Sequence, residues 1–226
     1  MKKYVAPALL MLIWAGCGNK PEKGATSFKD STTTVSSNDS LKPGTVVSKD
    51  HSTKEPIVAT VKQVLTHIPD GYFIIDTCSG DLNLDNENDF LILLGKKGED
   101  SLSRLGDEPV KRRLLVLTHD KGEHFNLAAQ SDNAVYCYSC GGILGDPYQQ
   151  LVIKNGYFSV EHYGGSRYRW TRIVTFKYSP ADSTWLLHKD GHETEDTMGE
   201  EKPTKKVYTA KDFGKVTFTD FDIYKD

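Results

Sequence analysis

The chain has 226 residues, with 28 Lys and Arg against 31 Asp and Glu, a net charge of −3, and 38% hydrophobic residues. That balance is a poor match to the phosphate backbone of nucleic acid, while the apolar content suffices for one folded core. A mean hydropathy of −0.48 leaves much of the chain in water.

Residues 1–16 read as an export signal: Lys2 and Lys3 form a short basic region, and residues 5–15 are almost wholly apolar. The run is too short to span a bilayer as a helix. At its end stands Trp14-Ala15-Gly16-Cys17. This resembles the lipobox of bacterial lipoproteins, in which small residues precede a cysteine; Trp14 replaces the usual Leu. The resemblance implies cleavage before Cys17, attachment of diacylglycerol to its thiol, and acylation (palmitate-type) of the new amine. Three chains anchor a protein to a membrane, since each buried methylene contributes about 0.8 kcal/mol. Gly18 is not the Asp that holds lipoproteins at the inner membrane, which favours the outer membrane.

Residues 17–56 follow the lipid site as a Ser/Thr-rich segment with few large apolar side chains. Such a segment cannot bury enough surface to offset its ordering entropy and reads as a disordered tether. Its r.m.s. span as a coil is roughly 35 Å. The head is then 57–226, one domain by size.

Residues 56–67 space Ile57, Val61, Val64 and Leu65 as on one helix face, and Pro69 ends the run. Next comes SGDLNLDNENDFLILL (79–94), where acids and amides crowd before an abrupt apolar run. Counted from Asp81, oxygens fall at Asp81, Asn83, Asp85 and Asp89, with the backbone carbonyl of Glu87 between. Alternate oxygens around a tight turn suit calcium; the same acids also suit a solvated turn. An EF-hand would need Glu at the twelfth position and a helix after it, and this chain has Ile92 in a strand-like run. GDLNLDNENDFLIL does resemble the calcium loop of FG-GAP and VCBS repeats. The resemblance implies Asp81, Asn83, Asp85, Glu87 (by its carbonyl) and Asp89 as ligands of a structural calcium ion. It departs from the family at Leu84 and Asn86, where small residues or glycine are usual. The run from Asp132 to Trp170 is similar to exported bacterial proteins carrying such a loop, which supplies no chemistry.

The remainder reads as strands. Residues 114–130 form two strands about Asp120-Lys121-Gly122, and 150–163 form a hairpin about Asn155-Gly156. In 168–178, Tyr168, Trp170, Val174, Phe176 and Tyr178 alternate with polar residues, as on a half-buried strand. Ser179-Pro180-Ala181-Asp182 turns the chain into a fourth strand, and residues 215–224 read as a last one. The expected fold is mainly β: an antiparallel meander in one domain, propeller-blade-like or sandwich, with a short N-terminal helix.

Cys137 and Cys140 have redox-motif spacing, but Gly141-Gly142 follows where a helix would lower a thiol pKa. They are candidates for a disulfide; pairing of Cys78 with either stays open. His188, His192 and the Cys137/Cys140 pair carry zinc-ligand types, separated by nearly fifty residues and a glycine turn. Tyr163, Arg167, Tyr168, Arg169 and Trp170 are candidates for a binding face toward a protein or glycan, or for guanidinium packed on aromatic rings. No Gly-x-Ser-x-Gly, His-Glu-x-x-His or phosphate-cradling loop is present. The sequence thus points to a membrane-anchored lipoprotein with a calcium-stabilised binding or scaffolding head. Two other classes stay open: an exported enzyme (a thiol–disulfide protein using Cys137/Cys140, or a hydrolase) and an inhibitor or immunity-type protein acting through its aromatic–Arg face.

Overall fold

The computed structural model describes residues 62–102, 108–121 and 124–225. They belong to one compact unit, Val58–Asp226. The expected signal, the lipid site Cys17 and the tether lie outside the described residues, as does the start of the expected helix; residues 62–66 are helical.

The protein is mainly β. Strands β1 (Tyr72–Gly80), β2 (Asp89–Lys96), β3 (Arg113–His119) and β4 (Phe125–Ser131) form one antiparallel sheet in that order. Strands β5 (Tyr148–Lys154), β6 (Tyr157–Gly165), β7 (Tyr168–Ser179), β8 (Thr184–Asp196) and β9 (Thr204–Thr209) form a second. Both are open up-and-down meanders. Among the described residues, the helical pieces beyond residue 66 are single turns, Glu99–Leu102, the 3₁₀ turn Gly142–Leu144 and Ala210–Phe213.

The continuous apolar run in β2 follows from burial on both faces. Leu91 and Leu93, with Leu114 and Val116 of β3, enter the main core. Ile92 and Leu94, with Leu115 and Leu117, enter a second cluster closed by Val64, Ile68 and Phe125. The second sheet covers the main core with one face only. Phe158, Val160, Val174 and Phe176 point inward, and the residues between them are partly or fully exposed. Phe158 stacks on Phe176 at 5.0 Å, and Phe218 meets both rings edge-on.

The hairpin at Asn155-Gly156 forms as its residues require: φ is 49° and 72°, the left-handed pair of a type I′ turn. This turn meets the acidic loop. Gly156 N–H donates to the Asp81 carbonyl at 3.0 Å, and a Cβ on Gly156 would lie 2.9 Å from the Leu84 side chain.

Residues 215–224 are not a strand. One isolated bridge joins Thr217 to Leu186; then the Thr217 hydroxyl donates to Asp220 and the chain turns. Phe218, Phe221 and Ile223 still plug the main core, so the apolar pattern reflected burial without pairing. The missing strand partner is β9, whose residues are almost all exposed. β1 also lacked a readable alternation, since its pairing with β2 shifts register between Ile74 and Asp76.

Candidate functional sites

The acidic loop is folded around its own carboxylates. Asp81 accepts from Leu84, Asp85 and Asn86 N–H groups at 2.6, 3.2 and 3.0 Å. Asn83 and Asp85 bond each other at 2.8 Å, and Asp85 accepts from Glu87 N–H. Leu84 and Asn86 adopt the left-handed conformation, φ 67° and 68°, so the chain curls where the resemblance favoured small residues. The Glu87 side chain faces His119 at 3.5 Å, which leaves its carbonyl as the donor it could offer the loop. Asp89 lies at the base, fully buried, accepting from Leu82 N–H at 2.7 Å and His119 N–H at 3.0 Å. Burial pushes its pKa above 3.8, Asp85 and Asp81 push the same way, and the two N–H bonds oppose them. Among the described residues, no three His, Cys, Asp or Glu side chains converge to hold a metal by themselves. The donor set here is mixed, with an amide and a carbonyl beside the acids, all hard oxygens of the kind calcium takes.

The loop also clasps the two sheets. Leu82 is fully buried in the main core, and its carbonyl accepts from Trp185 Nε1–H of β8 at 2.9 Å. Together with the Gly156–Asp81 bond, this ties the β1–β2 connection to the second sheet at two points.

Cys137 and Cys140 form a disulfide, and Cys78 is buried apart from it in the main core. A three-residue 3₁₀ turn, Gly142–Leu144, follows the bridge, so no helix dipole is aimed at either sulfur. Beside it lies His162, with no exposed surface. Its Nε2 accepts from Tyr136 N–H at 3.3 Å, and Nδ1 has no partner. Burial pushes its pKa down to about 3, so the ring is neutral.

The five residues of the expected aromatic–Arg face do not share one surface. Strand alternation turns Trp170 inward, against Gly164 and, at 5.5 Å, the Tyr136 ring. Arg167 pairs with Asp196 and Glu200 and lies over the Tyr168 ring, and the Tyr168 hydroxyl donates to Glu201. Tyr163 and Arg169 remain outward, lining a recess of about 380 Å³ with Glu193 and Lys205. The zinc set also separates. His188 packs on Tyr157 of the outer face, while His192 faces Asp190 on the inner one.

The inner face of β8 and β9 runs past the core and is roofed by the C-terminal segment, leaving a cleft of about 700 Å³. Its floor is three cross-strand pairs: Asp190 with Tyr208, His192 with Lys206, and Thr194 with Thr204. Asp190 is buried and takes two bonds from Arg172, at 3.0 and 2.7 Å. Arg172 also donates to the Tyr136 hydroxyl and the Ile223 carbonyl. His192, which lines the cleft, has its Nε2 3.0 Å from Asp190 Oδ1, a contact that orients the ring. Of this group the sequence singled out His192 alone, and as a zinc-ligand type. The group's signal was present: Asp190, His192 and Thr194 alternate on one strand face, and Thr204, Lys206 and Tyr208 on another. Pairing the two needed β9. Comparison of the chain with protein-family models, with curated proteins and with solved structures returned no match.

Proposed function

We propose that the protein is an exported lipoprotein, held at the outer membrane by acylation of Cys17 and joined to its head by the Ser/Thr-rich segment that follows. Its β-rich head acts as a binding module, and its acidic loop takes a structural calcium ion. The observation that carries the binding reading is the cleft above β8 and β9, whose volume of about 700 Å³ lies in the range of small-ligand sites. Its floor combines an oriented histidine with hydroxyls and an ammonium group, beside apolar walls from Phe213 and Val216. Calcium is supported by the loop's hard oxygens and by Asp89, a buried carboxylate crowded by Asp85 and Asp81. Asp81, Asn83, Asp85 and Asp89 would hold the ion by side chains and Glu87 by its carbonyl. The ion would offset the clustered negative charge and stiffen the clasp between the sheets. The 3₁₀ turn after the disulfide weighs against a thiol–disulfide enzyme.

Anchoring is tested by Cys17→Ser. The expected outcome is transfer of the protein from the membrane fraction to the soluble fraction, with loss of metabolic palmitate label. An unlabelled wild type, or a Cys17→Ser protein still in the membrane fraction, would count against the lipid anchor.

A further inference from the structure

We propose that the cleft above β8 and β9 binds a small zwitterion: an amino acid or short peptide with free amino and carboxyl ends. This rests on the binding-module reading and names the chemical class that the site takes. The argument starts from which polar groups are already engaged. Arg172 and Asp190 satisfy each other, and Lys225 stands 3.5 Å from Asp222. On the floor, Lys206 Nζ, Tyr208 Oη and the Thr194 and Thr204 hydroxyls line the cleft and take no partner among the described residues. A ligand can therefore take these groups by displacing water, with no internal bond broken.

The roof has the opposite sign. Asp212 and Asp220 lie in the C-terminal segment and line the same cleft. Asp212 accepts two local bonds, from Thr209 N–H at 2.8 Å and the Thr209 hydroxyl at 3.2 Å, and Asp220 accepts one from the Thr217 hydroxyl at 2.6 Å. An ionised carboxylate has about four acceptor sites, so both retain capacity for an ammonium group. A pure anion would suit Lys206 and the floor hydroxyls but be repelled by the roof; a pure cation would meet the reverse. A molecule bearing both charges satisfies both sides, its carboxylate on the Lys206 ammonium and the neighbouring Tyr208 and Thr204 hydroxyls and its ammonium on Asp212 and Asp220. Phe213 and Val216 offer apolar contact for a side chain between the charged ends.

The test is calorimetric titration of the unlipidated chain 18–226 with alanyl-phenylalanine, its N-acetyl form and its C-terminal amide, with amide chemical shifts locating any binding. The free dipeptide is expected to bind at β8–β9, and blocking either end to weaken it at least tenfold. Lys206→Met, at an exposed side chain with no internal partner, is expected to weaken the free dipeptide to the level of its amide and leave the amide unchanged. Equal binding of free and blocked peptides at the cleft would overturn the zwitterion and leave the binding module standing. No binding of any peptide would also overturn the zwitterion. If sugars, amines and organic acids then leave the β8–β9 shifts unmoved as well, the binding-module reading falls with it.

Discussion

Arg112→Met is expected to destabilise the head by roughly 3 kcal/mol, the cost of leaving the buried Glu99 carboxylate, and the half-buried one of Asp146, without their cation. The Arg112 side chain is 1% exposed. It donates to Glu99, itself buried, and makes two parallel bonds of 2.8 Å to Asp146. Those partners come from the turn after β2 and from the loop before β5, so one guanidinium holds the first sheet's connection and the second sheet's approach together. Met matches the length of the side chain but supplies no donor. Urea denaturation at neutral pH measures the effect, and the corresponding fall in melting temperature is on the order of 10 °C. The triple change of Arg112, Glu99 and Asp146 to apolar residues should recover much of the loss, because it removes the unpaired charges as well. A single variant as stable as wild type would mean that the cluster contributes nothing.

The second large effect is a loss of stability in acid traced to His162. Its folded pKa is about 3, against 6.5 for a free histidine, chiefly because burial disfavours the charged ring. After burial, the Arg172 backbone favours the charged ring, the Arg172 guanidinium opposes it, and Asp146 and Arg112 add smaller effects of opposite sign. A lowered histidine pKa means that the unfolded chain binds the proton first. The stabilisation is therefore complete above pH 6.5 and is lost as pH falls from 6.5 toward 3. Between pH 6.5 and 4 the loss attributable to this ring is roughly 3 kcal/mol at 1.36 kcal/mol per unit. Asp89 acts with the opposite sign. Its raised pKa gives a contribution present below 3.8 that is lost as pH rises through the folded value. Comparison with His162→Phe isolates the ring: the difference between the two stability curves should shrink or reverse across this window. Parallel curves for wild type and variant would contradict the buried neutral ring.

Some of this architecture was legible in the sequence because it rests on local chemistry. Asn155-Gly156 marks its own turn, and the β7 alternation marks which residues meet the core. The run after Asp89 announces a strand buried on both sides, though only the structure shows the helical residues 62–66 and Phe125 that help cover its second face. The readings that failed concern pairing at a distance. Residues 215–224 alternate like a strand but pair as one only at the single bridge of Thr217, and the exposed strand β9 carries little apolar signal. The cleft floor stayed hidden for the same reason, since Lys206 and Tyr208 acquire meaning only opposite His192 and Asp190. Arg112, Glu99 and Asp146 are far apart in sequence, and nothing local foretells their convergence. For the acidic loop the spacing of oxygens was readable, but its role as a clasp was not. That role depends on Trp185 and Gly156 reaching back to the carbonyls of Leu82 and Asp81.

We propose that calcium fills the loop between Asp81 and Asp89 and tightens this clasp. Thermal melting of chain 18–226 in about 5 mM calcium, against the same protein in chelator, tests it most directly. A site filled at 0.1–1 mM would add about 1–2 kcal/mol, a rise of a few degrees. The rise should be absent in Asp85→Ala, whose melting should be the same in calcium and in chelator. Identical melting of the wild type in calcium and in chelator would contradict the account.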